Sequence, residues 1–140
     1  MSIKKAGTIL INLEDKKVGL IYRKKHEDYS FPKGHLEKGE TLLECAVRET
    51  EEETLRKNHL LNGNVVAIDR YSSGEENDVE TYYYLAIDDG ETSKDIPLKD
   101  REEILWKNVN EVYNLLTYNN LKEIWIRIKD EVINVMENKK

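Results

Sequence analysis

The residues best suited to chemistry are one glycine, four glutamates and one arginine within twenty positions: Gly34, Glu40, Arg48, Glu49, Glu52 and Glu53. A helix is predicted from Thr41, because Glu40 and Glu44 bring negative charge to its positive N-terminal end and most residues that follow are good helix formers. The last three glutamates then share one flank, related as i, i+3 and i+4. Clustered carboxylates are hard oxygen ligands of the kind that Mg²⁺ or Mn²⁺ prefers.

The same helix must also pack against the rest of the chain. At 100° per residue, its core-facing stripe is predicted to contain Leu43, Ala46, Val47, Thr50 and Thr54. Stacked like charges on the other flank cost roughly 0.2–0.5 kcal/mol each, which a divalent cation would remove. In a chain that is 36% charged, a solvated acidic face is the ordinary alternative. No second Cys or His stands at ligand spacing, which argues against structural zinc.

The spacing of the six positions resembles the Nudix box: Gly34, five residues, Glu40, seven residues, then Arg48-Glu49-x-x-Glu52-Glu53. The chain departs from the pattern where it has Leu55 and Arg56 in place of glycine and an aliphatic residue, and Thr50 in place of an aliphatic residue. The missing glycine predicts a helix that ends differently or runs on toward Asn58.

The resemblance implies a magnesium-dependent hydrolase of a nucleoside diphosphate linked to another group. Its Mg²⁺ would be held by Glu49, Glu52, Glu53 and the Gly34 carbonyl. Arg48 stands one helical turn before Glu52, where it can orient or partly neutralise that carboxylate. Mg²⁺ or Mn²⁺ lowers the pKa of a bound water that attacks phosphorus. Basic residues would offset the charge on the phosphates, and the candidates are Lys33, His35 and Arg23. The general base is left open between Glu53 and Glu103, which follows Glu102 before a predicted strand.

Three segments outside the box resemble the asymmetric diadenosine tetraphosphate hydrolases: FPKGH at 31–35, YYLA at 83–86, and Trp106 followed by a helix and Tyr118. The resemblance implies that Tyr83 and Tyr118 stack on adenine and that the products are ATP and AMP. Alternation along the strand sends Tyr83 to the face opposite Tyr82 and Tyr84. Because one face must be core, a packing role for Tyr83 is the alternative.

Two other readings stay open. Other Nudix pyrophosphohydrolases act on nucleoside triphosphates, RNA 5′ ends or diphosphoinositol polyphosphates, and the acidic balance of this chain disfavours the last group. A Nudix-fold sensor would bind a nucleotide without cleaving it. The presence of all four box glutamates and Arg48 argues against that reading.

Composition limits the other classes. At 140 residues, one domain covering residues 1–140 is expected. The formal net charge is −6 and the sequence pI is about 5.2, so no general nucleic-acid binding is expected. The sequence has no 18-residue apolar run and no signal-peptide pattern, which predicts a cytoplasmic protein with a small-molecule substrate and no membrane partner. Either a monomer or a dimer is compatible with it.

The element order predicts an α/β (α+β) fold with a mixed sheet between helices, as the Nudix resemblance also implies. Strands are predicted at 6–12, 18–23, 65–71, 79–87 and 103–107, with helices from 41, at 108–116 and at 121–136. The strands at 6–12 and 79–87 are expected to be central. A polar loop is expected at 72–78. The acidic stretch 88–101 is a candidate lid or binding loop, with a plain connection as the alternative.

Overall fold

The computed structural model describes residues 3–73, 76–93 and 102–138. Its strands are β1 Ile3–Asn12, β2 Lys17–Arg23, β3 Asp28–Ser30, β4 Lys33–His35, β5 Arg56–Leu60, β6 Ala67–Ser73, β7 Glu76–Thr92 and β8 Glu103–Lys107. Its helices are α1 Leu42–Thr54, α2 Val109–Leu115 and α3 Asn119–Asn138. None of these helices is long and apolar enough to cross a lipid bilayer.

The strands form one mixed sheet around two parallel central strands. β1 and β7 run side by side, in register from Ile3 opposite Val79 to Ile11 opposite Ile87. β2 and β4 pair antiparallel with the other edge of β1, and β5 and β6 pair with the other edge of β7. β3 and β8 flank β2. The predicted hairpin of β1 and β2 and the central positions of β1 and β7 are confirmed.

Helices cover both faces of the sheet, as the sequence predicts. Alternation along β1 sends Ala6 toward α1, where it packs with Cys45 and Ala46. Ile9, three positions after Ala6, points to the opposite face and joins a larger cluster that includes Trp125 of α3. The α+β sandwich is therefore confirmed, with α1 alone on one face and α2 and α3 on the other.

The end of α1 corrects one sequence expectation. The helix does not run on toward Asn58, because Leu55 adopts the left-handed conformation at φ 58° and its N–H donates to the Glu51 carbonyl. Leu55 stands where the Nudix pattern has glycine, the residue that ordinarily fills this left-handed capping position. The replacement therefore keeps the same helix end and adds backbone strain. The N-terminus agrees with prediction, since Thr41 caps the helix and forms a capping box with Glu44.

Three further expectations differ from the structure. β5 was not predicted, because its sequence RKNHL has little β character. β7 continues to Thr92, so residues 88–92 form a strand rather than part of a loop, and most of the rest of the predicted lid lies outside the described residues. Leu43, expected to face the core, is 38% exposed, and Cys45 is buried instead.

Candidate functional site

Gly34 and Glu49 meet where β4 passes over α1. A Cβ atom at Gly34 would lie 2.0 Å from Glu49 Oε1. A side chain there would displace the Glu49 carboxylate, so the glycine of the motif lets the β4 backbone press directly against it. The Cys45 thiol lies beneath the same segment, 3.6 Å from the Gly34 carbonyl oxygen.

Arg48 holds three motif carboxylates together. Its guanidinium donates to Glu40 at 2.6 and 3.0 Å, to Glu49 Oε2 at 2.9 Å and to Glu52 Oε1 at 3.2 Å. It also donates to the His35 carbonyl at 3.0 Å. Hydrogen bonding to Arg48 lowers the pKa of Glu40 to about 2. The guanidinium fork thus fixes α1 to the loop before it, and the predicted contact between Arg48 and Glu52 is present.

Glu53 lies at the inner end of the motif, beside Lys33. Its Oε1 accepts a hydrogen bond from the Lys33 backbone N–H at 3.0 Å. Removal from water raises the pKa of Glu53 to about 7; the positive Lys33 opposes this rise, and the negative charges of Glu49 and Glu102 add to it. A carboxylate whose pKa lies near neutrality has the basicity of a general base.

Glu103, the second proposed base, and its neighbour Glu102 have different surroundings. The charge of Glu102 acts on Glu53, whereas Glu103 lies on β8 and pairs with Tyr22 of β2. Consecutive residues of an extended segment point to opposite sides. The choice between Glu53 and Glu103 as general base therefore stays a prediction.

The donor set suits a hard divalent cation. Glu49 and Glu53 are carboxylates whose pKa values burial raises, so a bound cation would stabilise their charged forms. In the described part of the chain, no three Asp, Glu, His or Cys side chains are gathered closely enough to hold a metal ion. Arg48 already forms salt bridges with one carboxylate oxygen each of Glu49 and Glu52. The residues therefore fit Mg²⁺ in donor type, and binding would draw Glu49 and Glu52 away from Arg48.

A cavity of about 510 Å³ adjoins Glu53 through Lys33. Residues that line it include Lys5, Arg23, Ser30, Lys33, Asp69 and Tyr118. Its volume lies within the range of small-molecule sites. Burial lowers the pKa of Lys33, and Glu53 opposes this effect. Two of the predicted phosphate-binding residues thus share one cavity beside the motif, while His35 is exposed at the end of β4.

The rim of the cavity is built on Asp28. Arg23 donates to both Asp28 carboxylate oxygens at 2.8 and 2.6 Å, so much of its guanidinium is already committed. Tyr118 donates to Asp28 Oδ2 at 2.6 Å, and its side chain is 44% exposed. The ring of Tyr118 is therefore held at the cavity mouth with a surface available for stacking.

Tyr83 does not fit the stacking role that the resemblance implied. The residue is 0% exposed, and its ring packs edge-on against Phe31 at a centroid distance of 5.7 Å. Strand alternation sends it into the larger core cluster with α3, so its ring is already covered by protein. Tyr83 is among the residues that line the cavity, and its buried hydroxyl has no hydrogen-bond partner among the described residues.

Sequence reasoning missed Asp28, Asp69 and Asn120. Asp69 is 5% exposed on β6, and both its oxygens accept from Asn120 Nδ2 at 2.7 Å. One signal was present, because Asp69 directly follows the apolar residues VVAI in the run VVAIDRY, which is predicted as a strand. The partner on α3 lies 51 positions away, so no local pattern joins the two.

A second cavity of about 720 Å³ is a groove along α1. It is lined by Leu43, Val47, Leu55 and Leu60 together with Arg48. Among the described residues of that lining Arg48 is the only cation, and carboxylates already occupy its guanidinium. An anionic substrate therefore fits the smaller cavity better, because Lys5, Arg23 and Lys33 line it.

Comparison with protein families places the chain in a known group. The family model of the NUDIX domain matches residues 2–127. The chain therefore belongs to the NUDIX family, whose hydrolases generally use divalent metals. Comparison with curated protein sequences finds no significant match.

Solved structures confirm the fold. An Ap4A hydrolase from C. elegans is 18% identical, with a TM-score of 0.73, and the match covers 94% of this chain and 99% of that one. A MutT protein from Methanosarcina mazei Go1 is 19% identical, with a TM-score of 0.70 and coverage of 93% and 94%. A NUDIX family hydrolase from Clostridium perfringens is 18% identical, with a TM-score of 0.72 and coverage of 94% and 97%.

Proposed function

We propose that the protein is a magnesium- or manganese-dependent pyrophosphohydrolase that cleaves diadenosine tetraphosphate into ATP and AMP. The observation that carries this proposal is the position of Glu53, which accepts a hydrogen bond from the backbone N–H of Lys33, a residue that lines the cavity together with Lys5 and Arg23. Acidic groups for a metal ion and basic groups for phosphates thus meet at one place. A polyphosphate chain needs both.

The chain's own residues divide the work of hydrolysis. Glu49, Glu52, Glu53 and the Gly34 carbonyl would hold the metal ion, which when bound supplies charge neutralisation and a water of lowered pKa. Lys33 offsets negative charge on the phosphates from inside the cavity. Oε1 of Glu53 is fixed by the Lys33 N–H, which leaves Oε2 to accept the proton of the attacking water.

The substrate assignment depends on the residues around the cavity. Tyr118 presents a half-exposed ring at the mouth, and base stacking on an aromatic ring contributes roughly 1–3 kcal/mol. The similarity to an Ap4A hydrolase across 94% of the chain agrees with a dinucleoside polyphosphate. A nucleoside triphosphate is the second candidate, because a protein of similar fold is a MutT protein.

The test is product analysis by anion-exchange chromatography after incubation with Mg²⁺ and diadenosine tetraphosphate, beside a panel of nucleoside triphosphates and capped RNA. We expect ATP and AMP to appear in equal amounts. Cleavage of a triphosphate or RNA alone would reject the substrate. The absence of cleavage throughout would favour a sensor that binds without hydrolysis.

A variant pair tests the metal site on the same helix. Loss of a metal ligand removes several kcal/mol of transition-state stabilisation, so Glu52→Gln should lower kcat by at least about 100-fold with an unchanged melting temperature. Glu51→Gln is the matched control, since it is the same substitution at the adjacent residue outside the motif. Wild-type rates for Glu52→Gln would contradict the proposed metal site.

A further inference from the structure

Asp69 lies in the wall of the cavity with acceptor capacity to spare. Its side chain is buried on β6, and its oxygens accept from Asn120 alone among the described residues. Asp69 forms no ion pair within that part of the chain, although Lys33 acts on it electrostatically. A carboxylate can accept about four hydrogen bonds, so lone pairs remain for a ligand.

Two hydroxyl groups in the same wall also lack partners. Ser30 Oγ and Tyr83 Oη are buried and have no hydrogen-bond partner among the described residues. Both residues line the cavity that contains Asp69, and the charge of Asp69 acts on Tyr83. Buried polar groups in native proteins are nearly always paired. A polar ligand would supply the missing partners.

The chemistry of the wall limits what that ligand can be. Asp69 only accepts hydrogen bonds, and the two hydroxyls accept or donate, so the ligand must present N–H or O–H donors. Lys5, Arg23 and Lys33 line the same cavity and disfavour a cation. An uncharged group with several donors satisfies both conditions. In a nucleotide, the exocyclic amino group of the base is such a group.

We propose that Asp69, held by Asn120, accepts a hydrogen bond from the exocyclic amino group of the substrate's base and thereby selects amino-bearing bases over their oxo counterparts. This inference rests on the proposed function, because it names the base-recognising residues of the same site. An amino group meets the carboxylate as a donor, whereas a carbonyl oxygen at that position faces it as a second acceptor. Asn120 is a positioning residue, since it acts through Asp69.

The test compares substrates whose base carries an exocyclic amino group with substrates whose base lacks it. Diadenosine tetraphosphate and its diinosine counterpart form one pair, and ATP, GTP and ITP form a second set, since hypoxanthine lacks the amino group of either purine. The wild type should prefer amino-bearing substrates by about 10- to 100-fold in kcat/KM, the discrimination typical of one good base contact. Asp69→Asn should bring the ratio close to one. Asp89 is a control carboxylate on β7 that pairs with His59 of β5, and Asp89→Asn should keep the wild-type ratio.

A second variant tests the same wall of the cavity in case Asp69→Asn does not fold. Tyr83→Phe removes a hydroxyl that has no protein partner in the described structure, so its melting temperature should stay the same or rise. Its kcat/KM for amino-bearing substrates should fall about 2- to 10-fold, the value of one hydrogen bond. An unchanged kcat/KM would mean that the hydroxyl makes no contact with substrate.

The outcomes separate this inference from the proposed function. Equal kcat/KM for the amino and oxo substrates, or an unaltered ratio in Asp69→Asn, would overturn the inference and leave the hydrolase intact. A 2′-deoxy substrate that loses as much in the wild type as the oxo substrate, with Asp69→Asn abolishing that loss, would assign Asp69 to ribose and refute base selection. If nothing is cleaved, the proposed function fails, and equilibrium binding of ATP and ITP in Ca²⁺ still tests the base preference.

Discussion

Substitution of Gly34 by alanine should lower the enzymatic activity strongly while lowering the stability only slightly. The added Cβ would lie 2.0 Å from Glu49 Oε1, where ordinary contact begins at 3.4 Å, so the carboxylate must retreat by about 1.4 Å. The retreating group is the end of a flexible side chain, and it gives up the 2.9 Å bond from Arg48. The free energy of unfolding should therefore fall by only about 1 kcal/mol.

The effect on turnover should be far larger. A misplacement of about 1 Å in a catalytic group can cost on the order of 100-fold in rate, and Glu49 is a proposed metal ligand. We expect Gly34→Ala to lower kcat by at least that factor in a Mg²⁺-dependent hydrolysis assay, with urea unfolding measured on the same sample. Gly63→Ala is the matched control, because its nearest contact would be Leu43 at 3.8 Å. Near-wild-type turnover of Gly34→Ala would refute the proposed contact of β4 with the metal site.

Three further predictions concern stability. Hydrogen bonding to Arg23 lowers the pKa of Asp28, so Asp28→Asn should cost about 2 kcal/mol or more at pH 7; this difference is fully present above about pH 4 and should shrink as the pH falls below about 4 toward the folded-state pKa, which urea unfolding over a descending pH series would show. Thr50→Val leaves the Thr8 hydroxyl without its 2.8 Å partner and should cost about 1–2 kcal/mol; the double variant with Thr8→Val should recover most of it in a double-mutant cycle. At Leu55, where φ is 58°, glycine should be more stable than alanine by about 1 kcal/mol in thermal unfolding, the reverse of their order inside a helix.

The sequence could indicate that the motif residues lie together because they are close along the chain. The motif from Gly34 to Glu53 lies on one strand, one loop and one helix, so helical periodicity alone relates its glutamates. The sandwich of helices and sheet also followed from apolar alternation. The end of α1 was not predictable, because leucine rarely adopts the left-handed conformation. The strain of that conformation persists at Leu55 because β5 and the surrounding packing impose it.

The residues proposed to contact the nucleobase could not be found in the same way. Asp69 and Asn120 come from β6 and α3, and neither lies near the motif in sequence. Tyr83 was assigned to stacking because alternation gives two faces without saying which one is core. The tertiary packing settles that question, because Phe31 packs against the ring of Tyr83 and also contacts Trp125 of α3.

The division between these two halves has a consequence for specificity. α1 and β4 carry the groups that would act on phosphate, and they are tied together by Arg48. The far wall of the cavity is built from residues of β3, β6 and α3, none of which belongs to the motif. Substitutions such as Asp69→Asn should therefore change which nucleotide is bound while the chemistry at phosphorus stays the same. The substrate must be sought by varying the base, with the polyphosphate held constant.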